Sequence, residues 1–195
     1  MKVGKAILAT LLAGLISILI AIFGQPWLGD TKAPSLRLPD FKPAPTDRLQ
    51  QLPGFSLPNP EGVEVASSDW LGKVVVLHFW ASWCQPCQRD TLLLDAYQGA
   101  SEELKVVGIA IDTPRAVTDY LAQSPVSYEV LIGGGDAVEM SRRLGNRLQG
   151  LPFTVVFDHA GRRVHTHFGE IAKADMDEWL PPLLAKAALA KAKTP

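Results

Sequence analysis

The chain of 195 residues holds two cysteines, Cys84 and Cys87, three positions apart in Trp83-Cys84-Gln85-Pro86-Cys87. No other thiol is available to pair with either. One helical turn brings Cα atoms at this spacing within bridging distance. The loop such a bridge closes is minimal, and loop-closure entropy grows with loop length, so the bridge adds little stability. It makes more sense as a bond to be opened and closed than as a staple. A structural disulfide and half of a zinc site are the alternatives. Zinc normally takes four ligands, and no second Cys-x-x-Cys or His-x3-His accompanies this pair.

The pair needs elements to hold it. Val74-Val75-Val76-Leu77-His78-Phe79-Trp80 is a continuous apolar run with β-branched residues, the pattern of a buried strand. From about Gln88 to Ala100 the chain reads as a helix, so the dithiol lies at a strand-to-helix junction with Cys84 at or near the helix N-terminus. That end carries roughly half a positive charge and unpaired N–H groups, which favour the thiolate, the nucleophilic form. Cys87, one turn inside, is shielded and suited to resolve a mixed disulfide. Pro86 is tolerated in a first turn, where N–H donors are spare.

Gly72-Lys73 followed by VVVLHFWASWCQPC resembles the active-site segment of the thioredoxin superfamily. More narrowly it resembles the membrane-anchored TlpA/ResA/DsbE group of periplasmic thiol-disulfide oxidoreductases. Phe55-Ser56-Leu57 through Glu64-Val65 is similar to that group's N-terminal β-hairpin. Val106 to Asp112 is similar to the strand after the first helix, and Gly150 to Asp158 with Gly161 to the cis-proline strand and its turn. The likeness spans about Gly54 to Leu180. It implies an α/β, thioredoxin-like fold: a central mixed β-sheet flanked by helices, with an N-terminal β-hairpin and a central strand-helix insertion.

The resemblance also implies roles. Pro152 is expected in cis, placing the backbone of Leu151 beside the dithiol to pair with a substrate strand. Asp90 takes the position of a glutamate thought to help proton transfer, though its side chain is shorter and Leu92 stands where the group has proline. A first-turn carboxylate acting on the dipole is the plainer reading. His78 occupies a slot that holds aspartate or asparagine in the family. It could exchange protons with Cys87 if its pKa is near neutral, or it could be a core histidine with both nitrogens satisfied. Trp83 is expected to cover the dithiol and Trp80 to pack in the core. Glu170 follows Phe168-Gly169, where the family chain turns back near the active site, but a solvated carboxylate is the plainer reading. His165 and His167 alternate on one strand face; two histidines could bind metal, but an exposed face is the plainer reading.

Residues 1–24 read as an uncleaved signal anchor. Ala6 to Phe23 has no charged residue, and its length just crosses a bilayer core of roughly 30 Å. A cleaved signal peptide is the alternative. Lys2 and Lys5 place the N-terminus in the cytoplasm and the rest of the chain outside, in the periplasm of a Gram-negative cell. Residues 25–53 form a proline-rich tether (prolines 26, 34, 39, 43, 45 and 53). Residues 54–182 are enough for one α/β domain, and 183–195 form an Ala/Lys-rich tail that can fray. Pro181-Pro182 is expected to break or kink the last helix. Pro114 leads a helix from Arg115 to Gln123. Glu129–Ile132 is a strand, followed by a helix to about Leu144. Gly133-Gly134-Gly135 lacks the Gly-Lys-Ser/Thr of a phosphate loop. A formal net charge of −1 makes nucleic acid an unsuited partner.

No cofactor beyond the redox-active disulfide is expected. Gln85-Pro86 brings no cation to Cys84, which favours a reductant over a strong oxidant. The family implies a CcdA- or DsbD-type membrane electron donor. It implies clients such as apocytochrome c or proteins that build an oxidase copper site. A thioredoxin-fold copper chaperone and a general periplasmic oxidase or isomerase are the competing readings.

Overall fold

The computed structural model describes residues 49–193. The expected membrane anchor and most of the tether lie outside these residues. Among those described, no helix is long and apolar enough to cross a membrane. A short hairpin opens the domain: β1 (Ser56–Pro58) pairs antiparallel with β2 (Glu64–Ala66). A 3-10 turn, Ser67–Trp70, leads into β3 (Val74–Trp80). There follow α1 (Gln85–Gln98), β4 (Leu104–Ala110), α2 (Pro114–Gln123), β5 (Glu129–Ile132), α3 (Gly134–Arg143), β6 (Phe153–Phe157), β7 (Arg163–Phe168) and α4 (Lys173–Ala192).

Five strands make one mixed sheet in the order β5-β4-β3-β6-β7. β3, β4 and β5 run parallel, and β6 and β7 are antiparallel additions on the other side of β3. β3 is the centre of the sheet and every one of its residues is buried. Its side chains alternate between two apolar layers, as a strand covered on both faces requires. Val74, Val76 and Trp80 enter the layer that holds both cysteines, Leu94, Met176 and Leu180. Val75, Leu77 and Phe79 enter the opposite layer with Ile109, Leu131, Ala137 and Phe153. The β5–α3 insertion closes that second layer. Gly133 permits the approach, because a Cβ there would lie 2.3 Å from the Cβ of Ala137.

Two expected boundaries move. The last helix does not break at Pro181-Pro182 but is continuous from Lys173 to Ala192. Both prolines lie on its exposed side, as do Asp177 and Glu178, whose carbonyls lose their helical partners and face water. Leu180, Leu183 and Ala187 are buried and hold the helix to the core across the interruption. Most of the Ala/Lys tail therefore belongs to the domain. At the other end, residues 49–53 are not tether. The Leu49 N–H donates to Arg143 O at 2.9 Å, Gln51 bridges to Arg162, and Leu49 and Leu52 pack on the core.

Candidate active site

Parallel pairing carries β3 to its end, where the Trp80 carbonyl accepts the Ile111 N–H at 2.8 Å. The chain then turns, with the Ala81 carbonyl accepting the Cys84 N–H at 3.1 Å, and α1 begins. Cys84 is its N-cap, in extended conformation. Its sulfur accepts the Cys87 N–H at 3.3 Å, the contact a capping serine oxygen would ordinarily make. The two sulfurs are joined as a disulfide with Cα atoms 5.2 Å apart. Cys84 keeps 6 % exposure and Cys87 none, so an incoming thiol or disulfide reaches Cys84. The Thr91 hydroxyl donates to the Cys87 carbonyl at 2.8 Å, adding a second tie inside the first turns.

Leu151-Pro152 is a cis peptide, and the Pro152 carbonyl accepts the Gly169 N–H at 2.9 Å. Leu151 packs against both apolar layers. The loop before it is held by Asn146, a residue the sequence reading passed over. Asn146 is buried; its amide donates to the Gly150 carbonyl at 2.9 Å and accepts the Gly150 N–H at 3.1 Å. Its one sequence signal is its place just after the α3 end, in Gly145-Asn146. Trp83 is 71 % exposed and, with Ile111, Val138, Gly150 and Leu151, borders an apolar cleft of about 340 Å³. It stands beside the dithiol rather than sealing it.

Asp90 shares the buried face of α1 with Cys87. It is 1 % exposed. Oδ1 accepts the Ile171 N–H at 3.0 Å, and Oδ2 has no partner. Burial pushes its pKa up to about 7. The Ile171 hydrogen bond opposes that rise, as do the charges of His167 and Arg89, while Glu170 adds to it. The plain helix-dipole reading of Asp90 does not describe such a group. Glu170 is not free either: Arg89 Nε and Nη2 donate to its two oxygens at 2.7 and 2.5 Å. This fork joins α1 to the loop whose next residue, Ile171, holds Asp90.

His78 lies wholly buried on β3, opposite Thr154 of β6. Its Nδ1 shares a hydrogen bond with Thr154 Oγ1 at 2.9 Å, but Nε2 has no partner. The expectation that both nitrogens would be satisfied fails. Burial lowers its pKa to about 3, so the imidazole is neutral and the near-neutral pKa assumed for proton exchange is absent. His165 and His167 are also not an exposed pair. His165 stacks on Trp179 of α4, with ring centroids 4.9 Å apart, and His167 Nε2 is 3.0 Å from Glu170 O. Trp80 is core, as expected, packed 5.2 Å from the Tyr120 ring. Among the described residues, no group of three or more His, Cys, Asp and Glu side chains is placed to hold a metal ion.

A buried-sheet strand, a capped Cys-x-x-Cys helix and a cis-proline loop thus come together at one end of the central strands, past the C-terminus of β3 and before the start of β6. The AhpC/TSA family model matches residues 49–170, which include all three. The chain belongs to the AhpC/TSA family. It is 28 % identical over 134 residues to the thiol-disulfide oxidoreductase ResA of Bacillus thuringiensis, covering 67 % of this chain and 75 % of that one. It is 26 % identical over 136 residues to the thioredoxin-like protein YneN of Bacillus subtilis, covering 67 % and 77 %. A crystal structure from Chlorobium tepidum, described as a thiol:disulfide interchange protein DsbE, superposes with a TM-score of 0.58. It has 29 % identity, over 73 % of this chain and 96 % of that one. Within its family the chain is a TlpA/ResA/DsbE-like protein of the thioredoxin superfamily and a thiol-disulfide oxidoreductase.

Proposed function

We propose that this family member works as a membrane-anchored reductase, passing two electrons from the Cys84/Cys87 dithiol to disulfides of client proteins on the periplasmic face of the inner membrane. The Cys84 thiolate attacks a client disulfide, forming a mixed disulfide and releasing one client thiolate. The Cys87 thiolate then attacks Cys84, closing the ring and releasing the second. Two protons go to the client thiolates. Asp90, protonated up to about pH 7 on the same helix face as Cys87, is the group suited to exchange one of them. Leu151 presents backbone for a client strand, and Trp83 with the adjoining cleft takes client side chains.

The observation that carries the direction is the helix start. Cys84 receives the N-terminal dipole and one N–H, Gln85 and Pro86 add no cation, and Arg89 is engaged by Glu170. Such limited thiolate stabilisation suits a reducing disulfide. Clients would be apocytochrome c or copper-site assembly proteins, and a CcdA- or DsbD-type membrane protein would restore the dithiol. Titration against a glutathione or dithiothreitol series, followed by Trp83 fluorescence, tests the direction. A midpoint near the roughly −270 mV of thioredoxin is expected, and one near the roughly −120 mV of DsbA would sink the reductase reading in favour of an oxidase. Clients are then identified by trapping on Cys84 with Cys87→Ser. Tight stoichiometric copper binding by the reduced protein would instead support a copper chaperone.

A further inference from the structure

Parallel register pairs Trp80 of β3 with Ala110 of β4. Two residues on, past both strand ends, the same register sets Ser82 opposite Asp112. Here side chains replace the backbone ladder. Asp112 Oδ2 accepts the Ser82 N–H at 3.0 Å and the Ser82 hydroxyl at 2.6 Å. Its Oδ1 accepts the Thr113 N–H at 2.7 Å. From the other side, Gln88 in the first turns of α1 donates Nε2 to the Ser82 carbonyl at 2.8 Å. All three polar groups of Ser82 are therefore engaged, two by the end of β4 and one by the dithiol helix. Burial pushes the Asp112 carboxyl up, but the hydrogen bonds from Ser82 and Thr113 outweigh it and hold the pKa below the ordinary carboxylate range.

Ser82 is the middle of the three residues that join β3 to Cys84. Trp83, the last of them, is largely exposed and gives the segment little anchorage. The segment must nevertheless deliver Cys84 to the N-cap, since a sulfur displaced from that position loses the Cys87 N–H and the dipole. We propose that Asp112 is a positioning residue for the dithiol, acting through Ser82 to hold Cys84 at the start of the helix. This goes beyond the function proposed above and rests on the dithiol chemistry alone, whichever way electrons flow and whatever the client.

Among the described residues the Asp112 carboxylate bonds to Ser82 and Thr113 and to neither sulfur, so its effect is read at Cys84. In the reduced full-length protein, the rate of iodoacetamide capture at Cys84 is followed against pH, resolved by mass spectrometry, alongside the melting temperature. Asp112→Ala releases Ser82, and the Cys84 pKa is expected to rise by about one unit toward the free-cysteine value of roughly 8.5. Asp112→Asn keeps an oxygen able to accept both Ser82 bonds while giving up the Thr113 N–H, and is expected to restore most of the original profile. Ser82→Ala, which loses the hydroxyl bond but keeps the N–H, should shift the pKa in the same direction by less. A fall in the Cys84 pKa in both Asp112 variants would mean that the carboxylate acts by charge, and would overturn the proposal. A lower melting temperature with an unchanged pH profile would reduce Asp112 to a structural role and overturn it equally. Should Asp112→Ala not fold, the direction of the Ser82→Ala shift decides.

Discussion

Replacing Asp90 by asparagine should invert its effect on stability between acid and alkaline pH. In the folded protein the carboxyl is 1 % exposed and its pKa is raised from 3.8 to about 7 by burial. Between those values the native state holds a proton that the unfolded chain has released. Stability therefore falls as pH rises from about 4 to 7 and is level above. Roughly three pH units at 1.36 kcal/mol each give a loss on the order of 4 kcal/mol. Asparagine removes this slope. Its oxygen can still accept the Ile171 N–H, but its amide N–H groups replace an oxygen that has no partner, which costs about 1–3 kcal/mol at every pH. The variant should thus be less stable than the parent at pH 4 and more stable at pH 8 by about 1–3 kcal/mol. Urea titrations of the oxidised protein at a series of pH values measure this directly. Parallel stability curves for the two proteins from pH 4 to 8 would refute the reasoning, because they would mean Asp90 is ionised in both states. The same substitution should remove an inflection near pH 7 from the rate of disulfide exchange.

The His78 imidazole is held neutral by burial, so its nitrogen resonances should not move between pH 5 and 8; a titration near 6.5 would contradict its environment. Stability contributed by this group is full above pH 6.5 and falls as pH drops from there toward 3. Thr154→Val strips the partner from His78 Nδ1 and should cost about 1–3 kcal/mol in urea denaturation, with the cysteine order of reactivity unchanged. Leu183→Ala should cost about 2–5 kcal/mol, since Leu183 is core rather than tail; an effect within 0.5 kcal/mol would return residues 183–192 to a frayed end. Native reduced protein should be alkylated at Cys84 before Cys87, and faster labelling of Cys87 would reverse their roles.

What the sequence determined by itself was local. The β-branched apolar run 74–80 had the pattern of a doubly covered strand, and the helical stretch after Cys87 put the dithiol at a helix start, because such patterns are written in consecutive residues. Strand 129–132 and the helices after Pro114 and Gly133 were legible for the same reason. The last helix was misjudged because proline's local penalty is visible in sequence, while the buried Leu180, Leu183 and Ala187 that offset it are visible only in the packed core. Residues 49–53 looked like tether because their partners, Arg143 and Gly161, lie about a hundred positions away. Environment, too, belonged to the tertiary structure. A histidine and an aspartate were candidates for proton exchange through the positions the resemblance gave them, but burial neutralised His78 and, as the largest of several influences, brought Asp90 into the working range. The clasp of Asp112 on Ser82 was hidden most completely. In sequence Asp112 is a residue before a helix, and only the parallel register of β3 and β4 sets it against the segment that carries the cysteine.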